Sequence, residues 1–158
     1  MKHTYVLATS QIPKRARRKL RLGDLLLWDT ERPYHYARWF NRRLIMGGGD
    51  RPQVTRRQRG RAFEESVRDL RQHFERLLPP LGDIEIEYAW EGLFASTPDG
   101  LPYIGPHRDY PRHLFALGYG GNGMTFSFLA GRLLLEWFTR KRSADCQLFA
   151  FDRRPASL

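Results

Sequence analysis

Cysteine is nearly absent: the chain has 158 residues and one cysteine, Cys146. No internal disulfide can form, which fits a reducing compartment. Long apolar runs are missing too. No stretch approaches the ~18 uninterrupted apolar residues that suggest a membrane-spanning helix. The opening residues, MKHTYVLATSQIPKRARRKLR, hold no apolar core followed by a cleavage site, so no secretory leader is expected and a cytoplasmic location is. No C-x-x-C or H-x-x-x-H spacing occurs and the five histidines are scattered, so no metal site is expected. No repeat, low-complexity linker, triad or dyad stands out, and no catalytic acid or base is nominated.

Acidic charge is in deficit. The formal net charge is +10, and most of the basic residues are arginine. Such an excess raises nucleic acid and membrane surfaces as partners. The densest runs are 14-KRARRKLR-21 and 56-RRQRGR-61. Neither is interleaved with the aromatics on which single-strand binders stack bases, so both read first as solvated faces. A basic nucleic-acid-binding or interaction module without redox activity stands as the alternative function. Hydrophobic residues are 41% and aromatics 13%, which excludes a disordered chain and permits a real core.

Periodicity then gives the elements. Residues 4–9 (TYVLAT) and 24–29 (DLLLWD) read as short strands. Tyr34, Tyr36, Arg38 and Phe40 alternate with His35, Ala37 and Trp39, and Leu44–Met46 follow a polar tip at Asn41–Arg42. This predicts a hairpin over 34–46, ended by Gly47, Gly48 and Gly49. Phe63, Val67, Leu70, Phe74 and Leu77 place one apolar stripe on a helix over 56–78, stopped by Pro79–Pro80. On its flanks Glu64–Arg68 predicts a favourable i,i+4 pair and Glu65–Asp69 a repulsive one. Ile84, Ile86, Tyr88 and Trp90 alternate with Glu85 and Glu87 in a half-buried strand. Pro98–Asp99–Gly100 predicts a turn. A strand over 113–118, a helix over 125–140 and a last strand over 147–151 complete the chain. The 125–140 helix is apolar nearly all round, so it needs cover on more than one side. Its exposed surface would invite self-association.

The stretch 118-GYGGNG-123 satisfies G-x-G-x-x-G by letter. A dinucleotide fold needs further βα units after that motif and an acidic residue closing the next strand. Here little chain follows, Asp145 precedes the expected strand and Asp152 lies too far on. A plain chain-reversing loop fits the pattern. So does another use: backbone N–H groups freed of side chains at a helix start form a donor site with partial positive charge, suited to an electron-rich edge. A flavin presents such an edge at N1 and C2=O.

The sets 88-YAWEGLFASTPDGLPYIG-105 and 116-ALGYGGNGMTFSFLAGRLL-134 resemble the C-terminal signature of the FAD-dependent oxidoreductases of the D-amino-acid oxidase, glycine oxidase and sarcosine oxidase superfamily. Upstream, 4-TYVLATSQIP-13 and 33-PYHYARWFNRRLIMGGGD-50 are similar to the substrate-domain strands of that group. The resemblance implies an α+β fold. It has a mixed, largely antiparallel substrate-domain sheet with one amphipathic helix over residues 1–91. Over 92–158 follows a strand–glycine loop–helix segment that would complete a flavin-binding domain. The family's N-terminal Rossmann-type FAD domain is expected to be a missing partner. Gly121, Asn122, Gly123, Met124 and Thr125 are then expected at the flavin ring, with Gly92, Leu93 and Phe94 passing beside it. Tyr34, Tyr36 and Arg38 are candidates for binding a small amine or amino-acid-like substrate.

Departures refine this. Sarcosine-oxidase-type members carry the covalent flavin cysteine where Gly92 stands and a lysine where Thr125 stands. Glycine-oxidase-type members hold the substrate carboxylate with an arginine where Phe94 stands. The resemblance therefore implies non-covalent FAD, bound weakly or not at all by these residues alone, and hydride transfer from the substrate to flavin in the joined protein.

Overall fold

The computed structural model describes residues 1–20, 26–81, 83 and 85–153. Lys2–Leu93 is one compact unit and Phe94–Leu158 the other. The first is built on a five-stranded sheet in the order β2-β3-β4-β1-β5. Its strands are β1 (Lys2–Thr9), β2 (Leu26–Trp28), β3 (His35–Phe40), β4 (Arg43–Pro52) and β5 (Ile86–Phe94). The β1–β4, β2–β3 and β3–β4 pairs are antiparallel. The 34–46 hairpin is present, and its tip residues Asn41 and Arg42 have φ of 45° and 67°. Two successive positive φ values match the twist of the flanking strands, which is why this two-residue tip closes them.

One face of the sheet is covered by helix α2 (Arg59–Leu77). Tyr5, Leu7, Ala37, Trp39, Leu44 and Met46 from the strands meet Leu70, Phe74 and Leu78. The helical stripe holds except at its end, where Leu77 is exposed and Leu78 takes the buried place. Leu78 caps the helix with φ −125°, so the chain has already turned and swaps which side chain faces inward. Among the described residues Glu64 and Arg68 form no ion pair, while Arg61–Glu65 at 2.8 Å and Arg71–Glu75 at 2.7 Å do pair along this helix. The Glu65–Asp69 repulsion is relieved across the elements, because Arg51 of β4 reaches Asp69 at 2.6 Å and Glu65 at 3.7 Å.

Three glycines do not end β4, which runs on to Pro52. Gly48 (φ 119°) and Gly49 (φ 63°) instead accommodate a shift in the β1–β4 register between His3 and Tyr5. An extra residue on one strand needs a conformation that glycine supplies without a Cβ penalty. The basic run contains a short helix, α1 (Lys14–Lys19), with the Arg17 guanidinium 5.0 Å from the Trp39 ring centre. The strand expected over 24–29 is seen as Leu26–Trp28; residues 24 and 25, and Ile84 of the later strand, lie outside the described residues.

The second unit pairs β6 (Tyr103–His107) with β7 (Tyr110–Leu117) and packs α3 (Gly123–Thr139) and α4 (Ala144–Leu148) on that hairpin. Its core is Ile104, Ala130, Leu133, Cys146 and Phe149. The strand expected over 147–151 is a helix and turn. Ser143 sits in extended backbone (φ −85°, ψ 171°) as N-cap, and its carbonyl accepts from the Cys146 amide at 3.2 Å. That local bond wins over the apolar run Leu148–Phe149. No helix among the described residues is long and apolar enough to cross a membrane.

Candidate functional site

The glycine loop joins β7 to α3. It is held by the 95–97 segment: Ser96 and Tyr119 form a β-bridge, and the Gly120 amide donates to the Ala95 carbonyl at 2.8 Å. Gly118 (φ 80°) and Gly120 (φ 56°) both adopt the left-handed region. A Cβ on Gly118 would sit 2.7 Å from Thr97 Cγ2, so this approach needs glycine.

The first helical bond of α3 is Phe126 N–H to Asn122 C=O, at 3.1 Å. The amides of Gly123, Met124 and Thr125 precede it and have no i−4 acceptor within the helix. Asn122, the N-cap, makes no side-chain cap bond. The start of this 17-residue helix therefore offers backbone donors and partial positive charge, with Gly121, Asn122, Met124 and Thr125 all exposed. A Cβ on Gly123 would meet nothing within 4 Å. The donors suit an electron-rich ring edge such as the flavin pyrimidine.

The same unit holds a residue that local patterns did not reveal. Arg153 forks onto Asp99, Nε to Oδ2 at 2.7 Å and Nη2 to Oδ1 at 2.8 Å, with side-chain exposures of 5% and 6%. It also donates to the carbonyls of Leu101, Pro102 and Ala150 at 2.6, 3.0 and 3.3 Å. The Arg153 hydrogen bonds hold the Asp99 carboxyl well below the usual carboxylate range. The pair fixes the Pro98–Gly100 turn, which leads from the loop-bearing 95–97 segment into β6. The partners are 54 residues apart, so no periodicity exposes them; the only sequence signal was an aspartate in a turn.

Cys146 is buried, and burial followed by contact with Glu136 pushes its thiol up. It is a core residue.

In the sheet unit, direct partners across antiparallel strands share a face. Trp28, Tyr36, Gly47 and Val6 form one such row, and Leu26, Arg38, Ile45 and Ala8 the next. This is the face opposite α2. Tyr36 lies over Gly47, where any Cβ would run into its phenol. Burial, then neighbouring Tyr34, raises the Tyr36 pKa, so it stays a neutral phenol at ordinary pH. Tyr34 is exposed, its ring 6.3 Å from that of Tyr36. Arg38 is exposed and forms no ion pair or hydrogen bond among the described residues. Gly92 sits beside Thr4 on β5, Leu93 is exposed and Phe94 is partly buried. Tyr34, Tyr36 and Arg38 thus fall on one sheet face, and Gly121–Thr125 on one loop of the other unit.

An antiparallel sheet backed by a helix, and a hairpin leading through a glycine turn into an uncapped helix, make an α+β protein suited to presenting backbone donors to an electron-rich ligand. The chain belongs to the FAD dependent oxidoreductase family, whose model matches residues 2–137. It is 32% identical to glycine oxidase of Geobacillus kaustophilus over 116 residues, 73% of this chain and 28% of that protein. It is 39% identical to a D-amino acid dehydrogenase of Granulibacter bethesdensis over 87 residues, 55% of this chain and 19% of that protein. The crystal structure of the Geobacillus kaustophilus glycine oxidase is similar with a TM-score of 0.72, 23% identity, and coverage of 97% of this chain and 39% of that one. The L-proline dehydrogenase of P. horikoshii is similar with a TM-score of 0.70 and 20% identity, covering 94% and 38%. These structures show a shared fold. The matched region of this chain spans about a quarter of the length of the glycine oxidase relative.

Proposed function

We propose that this chain supplies the substrate-facing sheet and the flavin-edge loop of an FAD-dependent oxidoreductase acting on an amine or amino-acid-like donor. The observation that carries this reading is the open, glycine-led start of α3 lying within the span matched by the family. Flavin, when bound, supplies the hydride acceptor. The amides of Gly123, Met124 and Thr125 would donate to its electron-rich edge, beside Gly121 and Asn122. Phe94, with Gly92 and Leu93 of the sheet unit, would line the ring by family likeness. The ring is held without a covalent bond, since Gly92 stands where related enzymes carry the anchoring cysteine.

On the sheet face, Tyr36 would donate its phenol proton as a hydrogen bond, Tyr34 would line the cavity and Arg38 would pair with an anionic group of the donor. Phe94 occupies the place of a carboxylate-binding arginine in glycine-oxidase-type relatives, which leaves Arg38 to take that role. In the flavin-loaded protein, Arg38→Ala is expected to raise KM for a carboxylate-bearing donor about tenfold or more, with kcat changed less. An unchanged KM removes Arg38 from the substrate site.

Met124, Phe128 and Phe138 on α3 are 92%, 86% and 80% exposed. An FAD domain is the proposed cover, and self-association the outcome without it. Titration of the purified chain with FAD and with riboflavin, followed by visible absorption, tests the assignment. Both are expected to bind weakly, FAD no tighter than riboflavin, since the reading assigns the ADP half to a separate FAD domain. Gly123→Ala is expected to weaken both without lowering stability. Tight stoichiometric FAD binding would defeat the requirement for a separate FAD domain.

A further inference from the structure

The sheet unit brings a ligand-type side chain of α2 onto two others that lie six residues apart on the β2–β3 connection. Asp29 follows β2, His35 opens β3 and His73 lies on α2. Their ligand atoms all lie within 4.8 Å of one another. Asp29 Oδ2 is 2.8 Å from His35 Nδ1 and 3.3 Å from His73 Nε2. The other carboxylate oxygen, Oδ1, is occupied: it accepts from the backbone amides of His35 at 2.9 Å and Glu31 at 3.2 Å. Those two bonds orient the carboxylate and leave Oδ2 aimed at both rings. His73 Nε2 is buried and, despite its 3.3 Å approach to Asp29 Oδ2, makes no hydrogen bond among the described residues.

We infer that Asp29, His35 and His73 form a divalent transition-metal site of the zinc class, clamping the β2–β3 connection to α2. Imidazole nitrogen and carboxylate oxygen are the donors that zinc takes, at ~2.0–2.2 Å. A tetrahedral ion at that range separates its ligand atoms by about 3.3 Å. The His73–Asp29 separation already matches, and the His35–Asp29 contact must open by about 0.5 Å. The rings stack at 3.9 Å with 22° between their planes, so ligation turns them apart to bring both lone pairs onto one ion. Glu31 Oε2 is 4.0 Å from His35 Nδ1 and 66% exposed, within reach of the fourth position. A cleft of about 490 Å³ borders the two histidines, with Glu31 and Asp50 also in its lining. Its wall carries Arg32, Arg51 and Arg76 beside Glu31, Asp50 and Asp69, and Arg51 engages Asp69. Backbone bonds to the ligand Asp29 are the kind of outer support that metal sites show.

The site is independent of the flavin reading and its test does not use activity. The tag-free full chain, stripped with chelator, is titrated with zinc chloride by calorimetry and watched through its imidazole NMR signals. One saturating zinc per chain is expected, with the His35 and His73 signals shifting together. His73→Ala and Asp29→Asn are each expected to weaken zinc at least about tenfold. Absence of saturable zinc, or zinc that leaves both imidazoles unmoved in the wild-type chain, overturns the inference even if a variant fails to fold. So does unchanged affinity in folded forms of both variants.

Discussion

Replacing Arg153 by alanine is expected to destabilise the second unit by about 3 kcal/mol, the low end for breaking a buried ion pair. The guanidinium uses its fixed fork on both Asp99 oxygens and serves three carbonyls as well. It also lies 4.0 Å from the centre of the Tyr103 ring. Alanine leaves a carboxylate of 6% exposure with the Leu101 amide as its remaining strong donor, at 3.2 Å. Lysine does not restore the pair, because a point charge cannot reproduce the fork. The Asp99 pKa is depressed in the folded chain, so its contribution is fully present above the ordinary carboxylate range. It is lost as pH falls through the folded value. The gap between wild type and Arg153→Ala in urea unfolding is therefore expected to be full at pH 7 and to narrow below about pH 4. A gap that stays constant into acid would show that Asp99 is not the partner that matters. Because Thr97 both bonds the Leu101 carbonyl, at 2.7 Å, and packs on Gly118, the same variant is expected to loosen the glycine loop.

Gly48→Ala is expected to cost about 2–4 kcal/mol. Gly48 has φ 119°, a conformation L side chains rarely adopt. A Cβ there would collide with the Tyr34 carbonyl oxygen and lie 2.7 Å from His35 Cα. Both are backbone atoms of the neighbouring strand region, so no rotamer relieves them. The start of β3 must move, carrying Tyr34 and His35 with it. Gly60→Ala on α2 is the control: a Cβ there meets nothing within 4 Å, and the change is expected to be neutral or to stabilise by up to about 1 kcal/mol. Denaturant midpoints for the two variants measure the contrast. A cost under about 1 kcal/mol for Gly48→Ala would show that β3 and β4 are not held this closely.

Tight sequence-local features were legible. The Phe63–Phe74 stripe marks α2 because a 3.6-residue period can bury one side only. Asn41–Arg42 marks the hairpin tip because two polar residues separate alternating runs. The GYGGNG loop before an apolar helix marks the start of α3, since unpaired amides at a helix start follow from helix geometry itself. Misreadings came where local signals were ambiguous. Three glycines looked like a terminator and are a bulge within β4. Leu148–Phe149 looked like strand and belong to a capped helix turn and its exit. No strand is read over Tyr103–His107 from the sequence, because Gly105 and Pro106 mask a strand whose pairing comes from β7.

By itself, the sequence determined the α+β class, the hairpin, α2, the glycine-led start of α3 and the family. Each rests on periodicity or on contiguous residues, whose geometry the backbone sets within a few turns. Tertiary structure alone decided that Arg153 locks Asp99, that Arg51 reconciles Glu65 with Asp69, and that Asp29, His35 and His73 converge. The Arg153 and Arg51 pairs span 14 to 54 residues and His73 comes from another element than Asp29 and His35, so they are joined only by tertiary packing. Charge pairing and ligation act through space over a few ångströms, a distance that the order of residues along the chain does not encode.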